Sequence, residues 1–353
     1  DGRCHRNHAE RTRPGRQAGQ PAVIAASAPG KVVLSGEYAV LDGAPAISMA
    51  VNRRARVAVV ASTRGQHSIV APGFSATEGL FRVNNGQIEW SAGGDEYDLV
   101  ECVWRELQPE TDGDVTLMLD TREFLDEASG DKTGIGSSAA LAVALAAALG
   151  GLCGPDIDLA AAAGRAHRAF QDGKGSGVDI ANSTLGGIIE YRMGQAAISL
   201  AWPEGLHFAL LWSGVAASTA AQVNRLQQAQ SQDSRATLGA ASEQLALHWQ
   251  SGEAVALLEA YPAYCETLRA FSIDHDLGVF DAGHDEVYKS ARDRGLVYKP
   301  CGAGGGDVGI VMGHDRSLVE AFAEDHDAHG FRRLDVEMEH AGVMTTAEAT
   351  STS

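Results

Sequence analysis

The chain has 353 residues, 44% of them hydrophobic and 21% charged, the balance of a globular protein with length for about two domains. Its formal charge of −18 at neutral pH argues against a nucleic-acid partner, which needs a basic face, so any anionic substrate must be drawn in by local positive groups. The five cysteines (Cys4, Cys102, Cys153, Cys265, Cys301) contain no CxxC pair, which suits a reducing cytoplasm and neither a disulfide scaffold nor a zinc site.

In chain order, residues 1–20 carry several arginines and no hydrophobic stretch, so the expectation is a disordered leader or start-site extension, not a secretory signal. Residues 23–34, 46–51 and 56–61 are rich in Val, Ile and Ala and predict strands, with a turn at Asp42-Gly43. Residues 71–94 suit a hairpin or insertion, 97–107 a helix and 114–121 a strand. The Ala/Leu/Val run 139–149 reads as a buried helix; it is too short and too rich in Ala and Gly for a membrane span. A second helix is expected over 159–170, with Asp156 or Asp158 as N-cap, and a strand over 186–191. A boundary is expected over 193–205, where Pro203 and polar residues interrupt the pattern. Beyond it come a strand at 208–212, helix through most of 218–270, a strand at 309–312, a helix at 318–326 and a closing strand at 331–338. The Thr/Ser/Ala-rich end predicts a disordered tail. Mixed sheet and helix in two halves gives an α+β fold, divided as 1–20 leader, 21–200 N-terminal domain, 201–340 C-terminal domain and 341–353 tail.

Residues 131–141, DKTGIGSSAAL, carry the strongest chemical signal. A glycine-rich loop entering a helix offers backbone N–H groups and the positive dipole end to an anion. Here Gly134 and Gly136 allow close approach, and the hydroxyls of Ser137 and Ser138 can reach phosphates or a bound metal. No Gly-Lys-Ser/Thr closes the loop, so it is not a Walker A motif, and a plain helix cap is the competing reading. Two companions accompany it: residues 27–40, SAPGKVVLSGEYAV, and residues 299–310, KPCGAGGGDVGI. Cys301 sits in the latter where a small residue is wanted.

All three motifs, in this order, resemble those of the GHMP small-molecule kinases over roughly residues 23–338. The resemblance implies a ribosomal-protein-S5-like N-terminal domain and a ferredoxin-like C-terminal domain with the site between them. It also implies ATP and Mg2+ as cofactors. On it, Gly134, Gly136, Ser137 and Ser138 bind the nucleotide, Ser138 touches Mg2+ or the phosphates, and Lys31 and Asp179 of GSGVDIA are catalytic. Mevalonate kinases carry a glutamate metal ligand eleven residues before that aspartate; this chain has Arg168, which leaves the second metal ligand unidentified. Glu37-Tyr38, the stretch from Ala166-His167 to Gly177, LWSGVAASTAAQV at 211–223, and Asp307 after three glycines resemble the phosphomevalonate kinase branch instead. That resemblance implies mevalonate 5-phosphate as the small-molecule partner, with Ser176, Ser218, Thr219, Gly304 and Gly305 beside it and Lys174 or Arg192 as further cations. A monomer or homodimer is expected, with no membrane or nucleic-acid partner. Mevalonate kinase is the alternative, and a GHMP-fold binding protein without turnover a more distant one.

Overall fold

In the computed structural model, residues 22–153, 157–217, 222, 225–226, 232–327 and 330–349 are described. The first half builds around a long antiparallel pair, β1 (Ala22–Ser35) and β2 (Ala46–Ala61), the latter one strand where the sequence suggested two. They are joined by β3 (His67–Val70), the hairpin β4 (Gly79–Asn84) and β5 (Gln87–Ala92), β6 (Val115–Asp120), β7 (Ile188–Tyr191) and β8 (Ile198–Leu200). The sheet runs β1-β2-β6-β3-β4-β5, with β7 and β8 branching off β2. Residues 344–349 do not form the expected loose tail: Met344–Ala349 is a strand, β13, antiparallel to β1.

Four helices cover this sheet: α1 (Asp98–Leu107), α2 (Ser137–Gly150), α3 (Leu159–Phe170) and α4 (Val178–Leu185). Every residue of α2 from Ala139 to Leu149 is buried, because β1, β2, α1, α3 and α4 surround it. A helix apolar on all sides is a core helix here, and among the described residues no helix is long and apolar enough to cross a membrane. Asp158 caps α3 as expected, accepting from the Ala161 N–H at 3.0 Å.

The second half holds β9 (His207–Trp212), α5 (Gln232–Ser251), α6 (Ala254–Asp274), α7 (His284–Asp293), β10 (Val297–Pro300), β11 (Val308–Gly313), α8 (Arg316–Asp327) and β12 (Arg332–Leu334). The four strands form an antiparallel sheet in the order β10-β11-β9-β12, the ferredoxin-like arrangement. Gly252, at positive φ, splits the predicted long helix into α5 and α6. The closing strand shrinks to three residues, since beyond Leu334 the chain leaves β9 and returns to the first sheet.

The 36–42 connection between β1 and β2 wedges into the second half. Gly36 N–H donates to Tyr264 Oη at 2.7 Å, Tyr261 Oη–H to the Leu34 carbonyl at 3.2 Å, and Arg235 to Asp42 at 2.8 Å. Beneath these contacts lies a buried ion pair, Glu37 with Lys299, whose side chains are 2% and 0% exposed.

Candidate active site

The site is assembled where three loops meet the C-terminal part of β1. A register shift between Pro29 and Gly30 kinks β1 just before Lys31, a bulge that re-aims the side chain. The Lys31 N–H donates to the Ile135 carbonyl at 2.8 Å, so strand and phosphate loop are tied at the residue that carries the cation. Lys31 Nζ then lies 3.0 Å from Asp179 Oδ1, with Lys31 only 8% exposed. The sequence reading put Asp179 on a tight turn; it stands in the first turn of α4, behind Gly177. Tyr191 Oη–H donates to the Ser176 carbonyl at 2.9 Å and holds the Ser176-Gly177 approach to that helix.

The phosphate loop is pinned from behind. Thr133 N–H and Oγ1–H both donate to the Phe124 carbonyl at 3.0 Å. Gly136 then turns at φ 87° into α2 and, unlike Asp158 at α3, offers no side-chain cap, which leaves the N–H groups of the first turn to an outside acceptor. A Cβ on Gly136 would sit 3.1 Å from Lys31 Cγ, so the glycine also clears the path of the lysine.

Ser138, in the first turn of α2, has its Oγ 3.2 Å from His167 Nε2. Burial lowers the His167 pKa, with Asp179 raising it and Lys31 lowering it, so the ring is neutral at pH 7. In the sequence His167 carries little signal of its own; Gln171, four residues on, lines the same cleft, and that spacing is the signal that His167 faces inward. Arg168 lies on the exposed side of α3.

Lys31, Asp179, His167, Gln171, Lys174, Ser176 and Tyr38 line a cleft with about 720 Å³ of empty space, open solvent included. Gly302 and Ala303 form its far wall, and Tyr38 Oη–H donates to the Ala303 carbonyl. Of the expected acceptor glycines, neither Gly304 nor Gly305 borders this cleft; Gly304 packs on Val279, and Gly305 N–H donates to the Val279 carbonyl at 3.0 Å. Arg192 is likewise no free cation, for Glu243 and Glu190 hold it at the end of β7. Ser218 and Thr219 lie outside the described residues. Cys301 is buried and its thiol pushed up to about 11, the packing role rather than a reactive one.

Thr133 and Ile135 of the phosphate loop open onto a larger basin of about 1570 Å³, open solvent included. Asn52, Arg53, Arg122 and Arg332 stand around it, the last paired with Asp126. Thr133 and Ile135 thus border the basin, while the lysine–carboxylate pair borders the cleft.

Comparison with known proteins agrees with this architecture. Residues 98–187 match the family described as GHMP kinases N terminal domain. The chain is 30% identical over 341 residues to the phosphomevalonate kinase of Streptomyces sp. (strain CL190), covering 82% of this chain and 89% of that protein. It is 28% identical to human mevalonate kinase, across 91% of this chain and 94% of the other. Among solved structures, Streptococcus pneumoniae phosphomevalonate kinase in complex with phosphomevalonate and AMPPNP superposes with a TM-score of 0.72 at 18% identity, covering 89% of this chain and 99% of that one. With fold, motifs and a full-length relative in agreement, the chain belongs to the GHMP kinase family.

Proposed function

We propose that the chain transfers the γ-phosphoryl group of ATP to the phosphate of mevalonate 5-phosphate, giving mevalonate 5-diphosphate and ADP in isoprenoid precursor synthesis. The observation that carries this reading is the Lys31–Asp179 pair, 3.0 Å apart, beside a helix start with no side-chain cap. The full-length Streptomyces relative bears the name of an enzyme for this acceptor, and it supports the choice among family substrates.

Phosphoryl transfer asks mainly for positioning and charge neutralisation. In this reading the nucleotide phosphates lie on the N–H groups of Gly136, Ser137 and Ser138, and the base and ribose extend toward the basin beside Thr133. The acceptor occupies the cleft of Ser176, Lys174 and Gln171. An acceptor phosphate oxygen attacks the γ-phosphorus, and the bond to the β–γ bridging oxygen breaks to release ADP. A phosphate monoester has a second pKa of about 6, so the attacking group is already largely deprotonated at neutral pH. Asp179 then has no proton to remove; it holds Lys31 against the transferring group.

Among the described residues no three acidic, histidine or cysteine side chains gather as a metal cage. Mg2+ is commonly held by few protein oxygens together with substrate phosphates and water, so the donors present fit it. Ser138 would hold it, since neutral His167 can accept the hydroxyl proton and leave the oxygen lone pairs outward. When bound, Mg2+ neutralises charge on the phosphates.

We also infer two domains dividing near residue 200, with a monomer or homodimer in a reducing cytoplasm; Cys102, Cys153, Cys265 and Cys301 are free thiols.

The test is ADP release over an acceptor panel. A site built for a phosphate should discriminate against mevalonate in kcat/KM, by roughly 10⁴-fold in good cases. Replacing Ser218 and Thr219 together by Ala should shrink that preference. Efficient turnover of mevalonate with none of its 5-phosphate would transfer the assignment to mevalonate kinase.

A further inference from the structure

Asp307 stands at the junction of three loops, and no step of the transfer uses it. It is one of the non-glycine residues at positive φ, 55°, a conformation that Asp tolerates better than most side chains. Its backbone N–H donates to the Val215 carbonyl at 2.7 Å, and its own carbonyl accepts from Ser213 N–H at 2.9 Å. Its Oδ1 accepts from Ala217 N–H at 3.0 Å. Three bonds from one residue thus fix residues 213–217, a segment of small side chains that no strand pairs. The same side chain packs against the phosphate loop: a Cβ on Gly134 would lie 2.2 Å from Asp307 Cγ. Burial pushes the carboxyl up from the usual carboxylate range, while the Ala217 N–H and Lys31 pull it down.

We propose that Asp307 is a positioning residue: its side chain clamps the 213–217 loop, which leads into Ser218 and Thr219, against Gly134 of the phosphate loop. The two substrate loops then share one anchor, and the acceptor loop keeps a fixed distance from the nucleotide loop. The backbone bonds of Asp307 survive in glycine, which adopts φ 55° readily, so Asp307→Gly removes the clamp alone. Asp307→Asn keeps both the left-handed conformation and an acceptor for Ala217. The part of this inference that concerns the acceptor rests on the function proposed above.

Hydrogen exchange on wild type, Asp307→Gly and Asp307→Asn needs no substrate and addresses the clamp directly. In Asp307→Gly, exchange over 213–217 should rise at least about tenfold while α2 and β1 keep wild-type protection, and Asp307→Asn should restore it. In kinetics the acceptor KM of Asp307→Gly should rise about tenfold or more with the ATP KM within about threefold, again restored by Asn. Wild-type exchange in Asp307→Gly, acceleration spread evenly over the chain, or failure of Asn to restore would each overturn the proposal. So would an Ala217 amide that exchanges unprotected in the wild type, a result that requires no variant to fold. Should the wild type fail to turn over mevalonate 5-phosphate, the proposed function falls and the exchange measurements still decide on the clamp.

Discussion

Removing one partner of the Glu37–Lys299 pair is expected to cost a large share of the stability of the molecule. Lys299 Nζ reaches Glu37 Oε1 and the Val33 carbonyl at 3.3 Å, while Glu37 Oε2 accepts from Tyr264 Oη at 2.7 Å. Both side chains are buried, so neither can turn to water when its partner is lost. Lys299→Met leaves a buried carboxylate with Tyr264 alone, and Glu37→Gln leaves a buried ammonium with no countercharge. Breaking a buried pair from one side typically costs about 3–5 kcal/mol, a fifth or more of a usual stability of about 5–15 kcal/mol. The double variant Glu37→Gln with Lys299→Met has no buried charge and keeps an acceptor for Tyr264, so it should lose under about 2 kcal/mol. Urea unfolding of the four proteins gives the coupling energy directly. Single variants that lose less than about 1 kcal/mol, or a double variant that loses the sum of the two, would refute the reasoning.

Three further outcomes follow from the site and core. Gly136→Val sets a β-branched residue at φ 87° against Lys31, at a cost of about 1–3 kcal/mol, and should abolish ATP binding in calorimetry while circular dichroism stays folded; wild-type affinity would remove the loop assignment. Lys31→Met should cut kcat by roughly 10²–10³-fold in an ADP-release assay, as loss of one preorganised charge contact commonly does, and a rate within about threefold would exclude the role. His284, buried between Tyr298 Oη and the Gly306 carbonyl, has its pKa lowered by burial to about 4 from 6.5, so the unfolded chain binds the extra proton between those values. Its contribution is full above pH 6.5 and is lost as pH falls toward 4, up to about 3 kcal/mol, and Tm measured over that range should fall less steeply in His284→Gln.

Local signals in the sequence were sufficient where burial or chain stereochemistry decides the structure alone. The 139–149 run is apolar on every side and could only be interior, and Asp158 marks the start of α3 through a bond made three residues away. The glycine loop that opens α2 was legible because its turn and helix start are written in adjacent residues. What could not be read is pairing across the fold. Glu37 and Lys299 stand 262 residues apart in sequence, and each looks like a motif residue of its own loop. Arg192 looked available to an anion until α5 brought Glu243 within bonding distance. The strand Met344–Ala349 was hidden by Thr and Ala in a segment whose order comes from pairing with β1. α7 escaped notice because just His284, Val287, Tyr288 and Ala291 face inward, a thin stripe in a polar segment.

The same long-range pairing explains how a chain of charge −18 can handle two anionic substrates. A surface patch of lysines would be screened by salt and opposed by the field of the whole protein. Two buried cations near the cleft are instead each matched to a carboxylate: Lys31, which lines it, with Asp179, and Lys299, behind it, with Glu37. The two pairs differ in what can replace the carboxylate. Lys299 is sealed off and can only hold the halves together, whereas Asp179 is 29% exposed at its side chain and borders the cleft. In the proposed transfer, phosphate oxygens arriving at Lys31 share an ammonium that Asp179 has already oriented, so little reorganisation is required when the charge moves. An aspartate that acted as a base would have to give up that contact to take a proton. The acceptor proposed here spares it that step, since its attacking oxygen comes largely deprotonated.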